Sequence, residues 1–256
     1  MKIEASFVRS AASAGDLPLD GAPEIAFVGR SNVGKSSVIN ALVRRPIART
    51  SAAPGKTRLA NIYRVTRGGG SPIYLVDLPG YGYARGGRDA AAEFEALTRA
   101  YFGRAGPVGR ASLAGKDAED LPDPPGLPDS PDLSALLLVD ARHPGLASDA
   151  AAWQWLRRTV RRCAVVATKI DKLARGERIR ALRELESVCE TSVLPVSAVT
   201  GEGLDELWKL IDRQPSNRPP RPLNNNSSNR SLPLPKGTGT PARRRPRSWS
   251  SRRSRT

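Results

Sequence analysis

The chain has 256 residues, with 41 Lys or Arg against 25 Asp or Glu, so its formal net charge is +16. This length suits one or two domains. No apolar run approaches the roughly 18 residues that a membrane span requires, and the first residues lack the apolar centre of a secretion signal. We therefore expect a cytoplasmic protein without membrane insertion. The surroundings of Cys163 and Cys189 are apolar, which favours free, buried thiols over a disulfide or a metal framework.

The excess positive charge is concentrated at one end of the chain. Residues 214–256 hold eleven Lys or Arg and no Asp or Glu, among many Pro, Ser and Asn. Residues 1–213 hold 30 basic and 25 acidic side chains and are only mildly basic. A segment with so few apolar residues, whose charges are all positive, is predicted to be a disordered tail. Two interpretations of it stay open: an arm that seeks a polyanion such as RNA, and a solvated extension with no dedicated partner.

Strand-like and helix-like segments alternate before this tail, a pattern typical of an α/β fold with a mostly parallel sheet and helices on both faces. The predicted strands are 24–28, 59–66, 73–77, 135–140, 163–168 and 192–196, with 3–9 as an additional edge strand. The predicted helices are 35–45, 88–102, 149–161, 173–189 and 203–212. A Pro- and Gly-rich stretch, 103–132, interrupts the alternation and is interpreted as a surface insertion, because lengthening a loop costs little free energy.

The segment between the first main strand and the first helix matches G-x-x-x-x-G-K-[ST]. In this context the backbone N–H groups of the loop and the helix N-terminus point at phosphates. Lys35 would reach the β- and γ-phosphates, and the Ser36 hydroxyl would bind Mg²⁺. The predicted phosphate-binding residues are Gly29, Arg30, Ser31, Asn32, Val33, Gly34, Lys35 and Ser36.

Two further segments point to the γ-phosphate. Thr57 follows a Pro- and Gly-containing loop and is the candidate second Mg²⁺ ligand; alternatively, this Thr merely starts the next strand. Strand 73–77 runs into a D-x-x-G motif at residues 77–80. Its Asp77 would hold a water of the Mg²⁺ shell, and the Gly80 N–H would meet the γ-phosphate.

The motif T-K-x-D follows the predicted strand 163–168. Its Asp171 can accept hydrogen bonds from the N1–H and the exocyclic amine of guanine, while the stem of Lys169 lies along the base. Adenine offers no matching pair of donors and would leave a buried carboxylate unpaired, which gives selectivity for guanine. Ser197 and the Ala198 N–H, in an S-A-x-x-G-x-G loop, would line the same base pocket.

Together these motifs resemble the translation-associated P-loop GTPases of the Era/EngA/EngB type, and most of all the EngB (YihA/YsxC) family. The resemblance covers about residues 1–213 without the insertion. The string D-L-P-G-Y-G-Y-A is far more specific than D-x-x-G alone. The strings that carry the resemblance are G-R-S-N-V-G-K-S-S at 29–37, P-G-K-T at 54–57, D-L-P-G-Y-G-Y-A at 77–84, V-D-A-R-H-P at 139–144 and T-K-I-D-K at 168–172.

The resemblance implies a single P-loop GTPase G domain, expected to be monomeric, that binds GTP and GDP with Mg²⁺ and hydrolyses GTP. It also implies a role in assembly of the large ribosomal subunit, with its particles and rRNA as partners, and in cell division and septation. Ser36 and Thr57 would bind the metal, and Lys35, Thr57 and Gly80 would serve catalysis. The implied contacts beyond the phosphate loop are Gly55, Lys56, Thr57, Asp77, Leu78, Pro79, Gly80, Thr168, Lys169, Ile170, Asp171, Ser197 and Ala198.

Two positions bear on the mechanism. Tyr81 stands where Ras-like enzymes carry a water-orienting Gln, and a phenol cannot orient water as an amide can, so we expect slow hydrolysis. Asn32 stands where some relatives use an Asn to help hold K⁺, and the alternative is an Asn chosen for turn geometry. A competing interpretation of the whole chain is an RNA-binding module driven by the basic tail, with vestigial GTPase activity.

Overall fold

The computed structural model describes residues 1–18, 20–50, 59–81, 97–103 and 133–212. Within them, seven strands form one sheet in the order β1-β3-β4-β2-β5-β6-β7. The strands are β1 (Ile3–Ala11), β2 (Glu24–Gly29), β3 (Ala60–Arg67), β4 (Ile73–Asp77), β5 (Leu133–Asp140), β6 (Arg162–Thr168) and β7 (Val193–Pro195).

The sheet is mostly parallel, as predicted. The ladders β4–β2, β2–β5, β5–β6 and β6–β7 are parallel, whereas β1–β3 and β3–β4 are antiparallel. The expected extra edge strand is present as β1, which makes seven strands instead of six. Central strands such as β2 are buried along their whole length, the property of a sheet that is covered on both faces.

Helices cover both faces of this sheet. They are α1 (Lys35–Val43), α2 (Ala147–Thr159), α3 (Arg175–Cys189) and α4 (Leu204–Asp212). Apolar side chains of α1 and α4 pack into one core with Phe27 and Leu138. A second core lies on the other face of the sheet. It contains apolar side chains of α2, α3 and the helical residues 97–102, together with Val28 and Leu137.

Four of the five predicted helices are described over their full length, and their ends move by one or two residues for local reasons. Helix α1 ends at Val43 because Arg44 adopts a left-handed conformation, with φ of 55°. Helix α3 begins at Arg175 instead of 173, since the preceding Leu173 is extended. The Glu177 side chain then accepts a hydrogen bond from the Ala174 N–H at 3.0 Å, which satisfies a donor at the helix start.

Several predictions fall outside the described residues. These are residues 51–58, the first part of the helix 88–102, the insertion 103–132 apart from Gly103, and the tail 214–256. Of the two cysteines, Cys189 is buried and Cys163 is half-buried, and both are free thiols. Among the described helices, none combines the length and the apolar character needed to cross a membrane.

Gly203, at the start of α4, has a steric role that can be tested. Its φ is +77°, and a Cβ added there would lie 2.0 Å from the Pro195 carbonyl oxygen. We expect Gly203→Ala to lower the free energy of unfolding by about 3 kcal/mol, as the clash adds to the backbone strain. The matched control is Gly69→Ala, because Gly69 has a φ of +78° and a Cβ there meets nothing within 4 Å. Urea titration measures both; equal losses would contradict the steric explanation.

Candidate functional site

The phosphate loop joins the end of β2 to the start of α1. Gly34 caps the helix with a φ of 110°, and Asn32 has a φ of 62°. Asn tolerates this left-handed conformation better than most side chains do. The geometry therefore gives the turn interpretation of Asn32 a physical basis that needs no bound ion.

Lys35 and Asp77 bring two charges into the interior beneath this loop. They are only 8% and 2% exposed. The Lys35 ammonium donates to the carbonyl oxygens of Gly29 at 3.2 Å and Arg30 at 3.3 Å. Burial lowers the pKa of Lys35, against the opposing effect of Asp77, and burial raises the pKa of Asp77. Both groups are therefore costly as ions until further charges join them.

The donor set beside Lys35 fits Mg²⁺. The Ser36 hydroxyl donates to Asp77 Oδ2 at 2.6 Å. The other carboxylate oxygen, Oδ1, is buried and has no hydrogen-bond partner among the described residues. A hard cation with its waters takes such oxygen ligands. Thr57, the other predicted ligand, lies outside the described residues together with Gly55 and Lys56.

The D-x-x-G motif lies directly against the phosphate loop. A Cβ at Gly80 would come within 2.5 Å of the Ser31 nitrogen and 2.6 Å of its Cα, so no larger side chain fits. The Ser31 N–H donates to the Tyr81 carbonyl oxygen at 3.2 Å. Upstream, the Leu78 N–H donates to the Phe27 carbonyl oxygen at 3.2 Å, which holds the motif to β2.

The T-K-x-D motif fastens its own loop to the phosphate loop. The buried Thr168 hydroxyl donates to the Val33 carbonyl oxygen at 2.7 Å. The Lys169 ammonium donates to the Asn32 carbonyl oxygen at 2.5 Å and to Asp140 Oδ2 at 2.9 Å. Residues 135 or more positions apart in the chain thus meet at the carboxyl ends of β2 and β6.

Asp140, at the end of β5, was not predicted as a functional residue. Burial disfavours its charge, yet hydrogen bonds from Arg142 and Lys169 outweigh that effect and lower its pKa to about 2. A permanently charged carboxylate therefore orients Lys169. The string V-D-A-R-H-P contained this residue, but nothing in the sequence showed that its carboxylate would face Lys169.

The predicted base-binding residues form a second group. The Ser197 hydroxyl donates to Asp171 Oδ1 at 2.7 Å and accepts the N–H groups of Val199 and Thr200 at 3.2 and 3.1 Å. The hydrogen bond from Ser197 lowers the pKa of Asp171, so this side chain is an anionic acceptor. Ala198 follows Ser197 in the same loop.

Asn40, on α1, is a further residue that the sequence did not reveal. Its side-chain amide donates to the Ala48 carbonyl oxygen at 2.8 Å and accepts the Ala48 N–H at 2.7 Å. These two hydrogen bonds fix the chain shortly before it leaves the described residues on the way to Thr57. Helix α1 therefore supports both the phosphate loop and the approach to the predicted second metal ligand.

Comparison with protein families gives a match over part of the chain. A family model described as a 50S ribosome-binding GTPase matches residues 24–104. Those residues include the phosphate loop and the D-x-x-G motif.

Curated relatives match over most of the chain. The Probable GTP-binding protein EngB of Lacticaseibacillus casei is 38% identical over 209 residues, which is 80% of this chain and 91% of that protein. The protein of the same name from Chlorobaculum tepidum is 38% identical over 211 residues, 81% of this chain and 95% of the relative. The one from Thermotoga maritima is 38% identical over 212 residues, 81% and 94% of the two chains.

Solved structures share the fold. Era in complex with MgGDPNP and nucleotides 1506–1542 of 16S ribosomal RNA aligns with a TM-score of 0.59 at 22% identity, over 79% of this chain and 60% of that chain. A crystal structure of a probable GTP-binding protein engB aligns with a TM-score of 0.50 at 21% identity, over 75% of this chain and 97% of that one. With 38% identity to EngB proteins over four fifths of its length, this chain belongs to the EngB family of GTP-binding GTPases.

Proposed function

We propose that the protein is a GTP-dependent switch in assembly of the large ribosomal subunit, and that it is required for normal cell division and septation. Membership of the EngB family carries this proposal. The match to a 50S ribosome-binding GTPase model supports the subunit. The Era structure that shares this fold contains ribosomal RNA, which supports RNA as the component of the ribosomal particle that this protein contacts.

In this proposal, the residues around Lys35 hold the triphosphate. Lys35 neutralises the β- and γ-phosphates, Ser36 binds Mg²⁺, and Asp77 holds a water of the metal shell. When bound, Mg²⁺ neutralises the charge that develops on the phosphates. Thr57 is proposed as the second metal ligand, and the Gly80 N–H as the donor to the γ-phosphate.

We expect GTP turnover by the protein alone to be slow, about 10⁻³ s⁻¹ or below, because Tyr81 stands where Ras-like enzymes carry the Gln that orients the attacking water. Burial and the neighbouring Asp149 raise the pKa of Tyr81, so its phenol stays protonated and cannot act as a base. A single-turnover assay measures the rate.

We also propose that Asn32 helps to hold a K⁺ ion near the phosphates. GTP turnover should then be faster in KCl than in NaCl, and equal rates would contradict this proposal.

Selectivity for guanine is assigned to Asp171. Replacing this acceptor by an amide, Asp171→Asn, should weaken GTP binding by about 100-fold, because the amide N–H faces the exocyclic amine of guanine. Xanthine has a carbonyl at that position, so xanthosine triphosphate should bind the variant more tightly than it binds the wild type. The control is Asp205→Asn, an exposed residue of α4. An unchanged preference for GTP in Asp171→Asn would show that another residue reads the base.

The folded body has a basic surface of its own. Four arginines lie where α2 passes into β6: Arg157, Arg158, Arg161 and Arg162. A cleft of about 480 Å³ is lined by Arg157, Arg161 and Arg162, and Arg158 lies outside it. This cleft lies at the amino end of β6, whereas the T-K-x-D loop follows the carboxyl end. RNA phosphates bound there would not compete with the nucleotide.

This surface separates the proposed function from the tail-driven alternative. In co-sedimentation with large-subunit particles, we expect stronger association with a non-hydrolysable GTP analogue than with GDP. Arg157→Gln/Arg161→Gln, which removes two arginines of the cleft, should weaken association and lower the magnitude of its salt dependence by about 1.5, at unchanged GTP affinity. The matched control is Arg180→Gln/Arg183→Gln, two exposed arginines of α3.

A chain cut after Arg213 completes that experiment. Association that stays GTP-dependent without the basic tail supports the switch and excludes the tail-driven module. Association that disappears with the tail, or that never depends on the nucleotide, would overturn the proposed function while leaving the GTP site untouched.

A further inference from the structure

Tyr81 makes backbone contact with the phosphate loop at a point beyond the regular sheet. Strands β2 and β4 end at Gly29 and Asp77, yet Arg30 and Tyr81 form an isolated parallel bridge. The bridge includes the hydrogen bond from the Ser31 N–H to the Tyr81 carbonyl oxygen, at 3.2 Å. The residue after D-x-x-G is therefore held to the phosphate loop itself.

The side chain of Tyr81 makes a second contact, with α2. Its hydroxyl donates to Asp149 Oδ1 at 2.9 Å. Asp149 lies in the first turn of α2 and is only 4% exposed. A carboxylate buried to this extent requires hydrogen-bond donors, and the loss of one donor is costly. Breaking the hydrogen bond between the Tyr81 hydroxyl and the Asp149 carboxylate is therefore unfavourable.

Gly80 lies between these anchors. Before it, the Leu78 N–H is bonded to β2; after it, Tyr81 is bonded to the phosphate loop and to α2. The close approach of Gly80 to the Ser31 backbone leaves no space on that side. The position of the Gly80 peptide therefore depends on the place at which Tyr81 is held.

We propose that Tyr81 and Asp149 are positioning residues, whose hydrogen bond holds the Gly80 N–H where a γ-phosphate meets it; this inference rests on the role of Gly80 in the proposed function. The pair acts through Gly80 and touches no nucleotide atom itself. GDP has no γ-phosphate, so the pair contributes to the affinity for GTP and not to that for GDP. A purely structural pair would stabilise the fold and affect both nucleotides alike.

Equilibrium binding of GDP and of a non-hydrolysable GTP analogue to the full chain tests this inference. Tyr81→Phe keeps the ring and removes the donor; we expect about tenfold weaker analogue binding and GDP binding within twofold of wild type. Asp149→Ala should give the same pattern. Asp149→Asn keeps an oxygen that accepts the phenol hydrogen and should stay within about threefold of wild type.

The double variant and a matched control sharpen the test. Tyr81→Phe/Asp149→Ala should bind the analogue no more weakly than either single variant, because one interaction is lost only once. The control is Tyr74→Phe, which removes a 2.8 Å hydrogen bond from another tyrosine of the same strand region to Asp20. It should leave both affinities unchanged.

Three results would overturn the inference: equal losses for GDP and the analogue, additive losses in the double variant, or Asp149→Asn as damaging as Asp149→Ala. Should Asp149→Ala fail to fold, the comparison of Tyr81→Phe with Asp149→Asn decides, since both are nearly isosteric. In that comparison, analogue affinity lowered by Tyr81→Phe and retained by Asp149→Asn supports the pair. Any other pattern rejects it.

Discussion

Lys35 and Asp77 are charged side chains that the fold removes almost completely from water, at the point where β2 and β4 end. Neither finds enough compensation within the described chain: burial acts against the charge of both, and one oxygen of Asp77 has no hydrogen-bond partner there. In the proposed site, a metal ion and a chain of phosphates would supply the missing opposite charges. The two buried charges thus raise the free energy of the protein without a ligand. Binding of Mg²⁺ and phosphate would remove this cost, and that gain would contribute to the affinity.

The surrounding loops keep these charges in place through contacts between distant parts of the chain. Thr168 holds the Val33 carbonyl, Lys169 joins Asn32 to Asp140, and Tyr81 joins the phosphate loop to α2. Each contact joins a residue at or after the end of one strand to a residue at or after the end of another. The loops therefore form one connected layer over the carboxyl edge of the parallel sheet, where open α/β sheets bind their ligands.

The sequence allowed the fold class, the strand positions and the phosphate-loop and D-x-x-G motifs to be predicted, because each depends on local pattern: apolar runs, glycines and a Lys-Ser pair next to a helix. Helix ends were less predictable, since the left-handed Arg44 and the extended Leu173 follow from local backbone geometry. The partners of Lys169, Tyr81 and Asn40 could not be predicted at all. Asp140 and Asp149 become partners only when the sheet order is known, and no spacing in the chain encodes that order. Ala48 lies only eight residues after Asn40, but the path of the chain that brings it back to α1 has no sequence pattern of its own. The role of Thr57 stays a prediction.

The hydrogen bond from Thr168 to the phosphate loop has a consequence for ligand length. Thr168 is the last residue of β6, and Asp171 lies three positions later, in the short helical turn that follows the strand. The distance between the proposed base acceptor and the phosphate loop therefore depends on this direct hydrogen bond and the three positions that follow it in the chain. A ligand held by its base at Asp171 would have to span this distance before its phosphates reached Lys35.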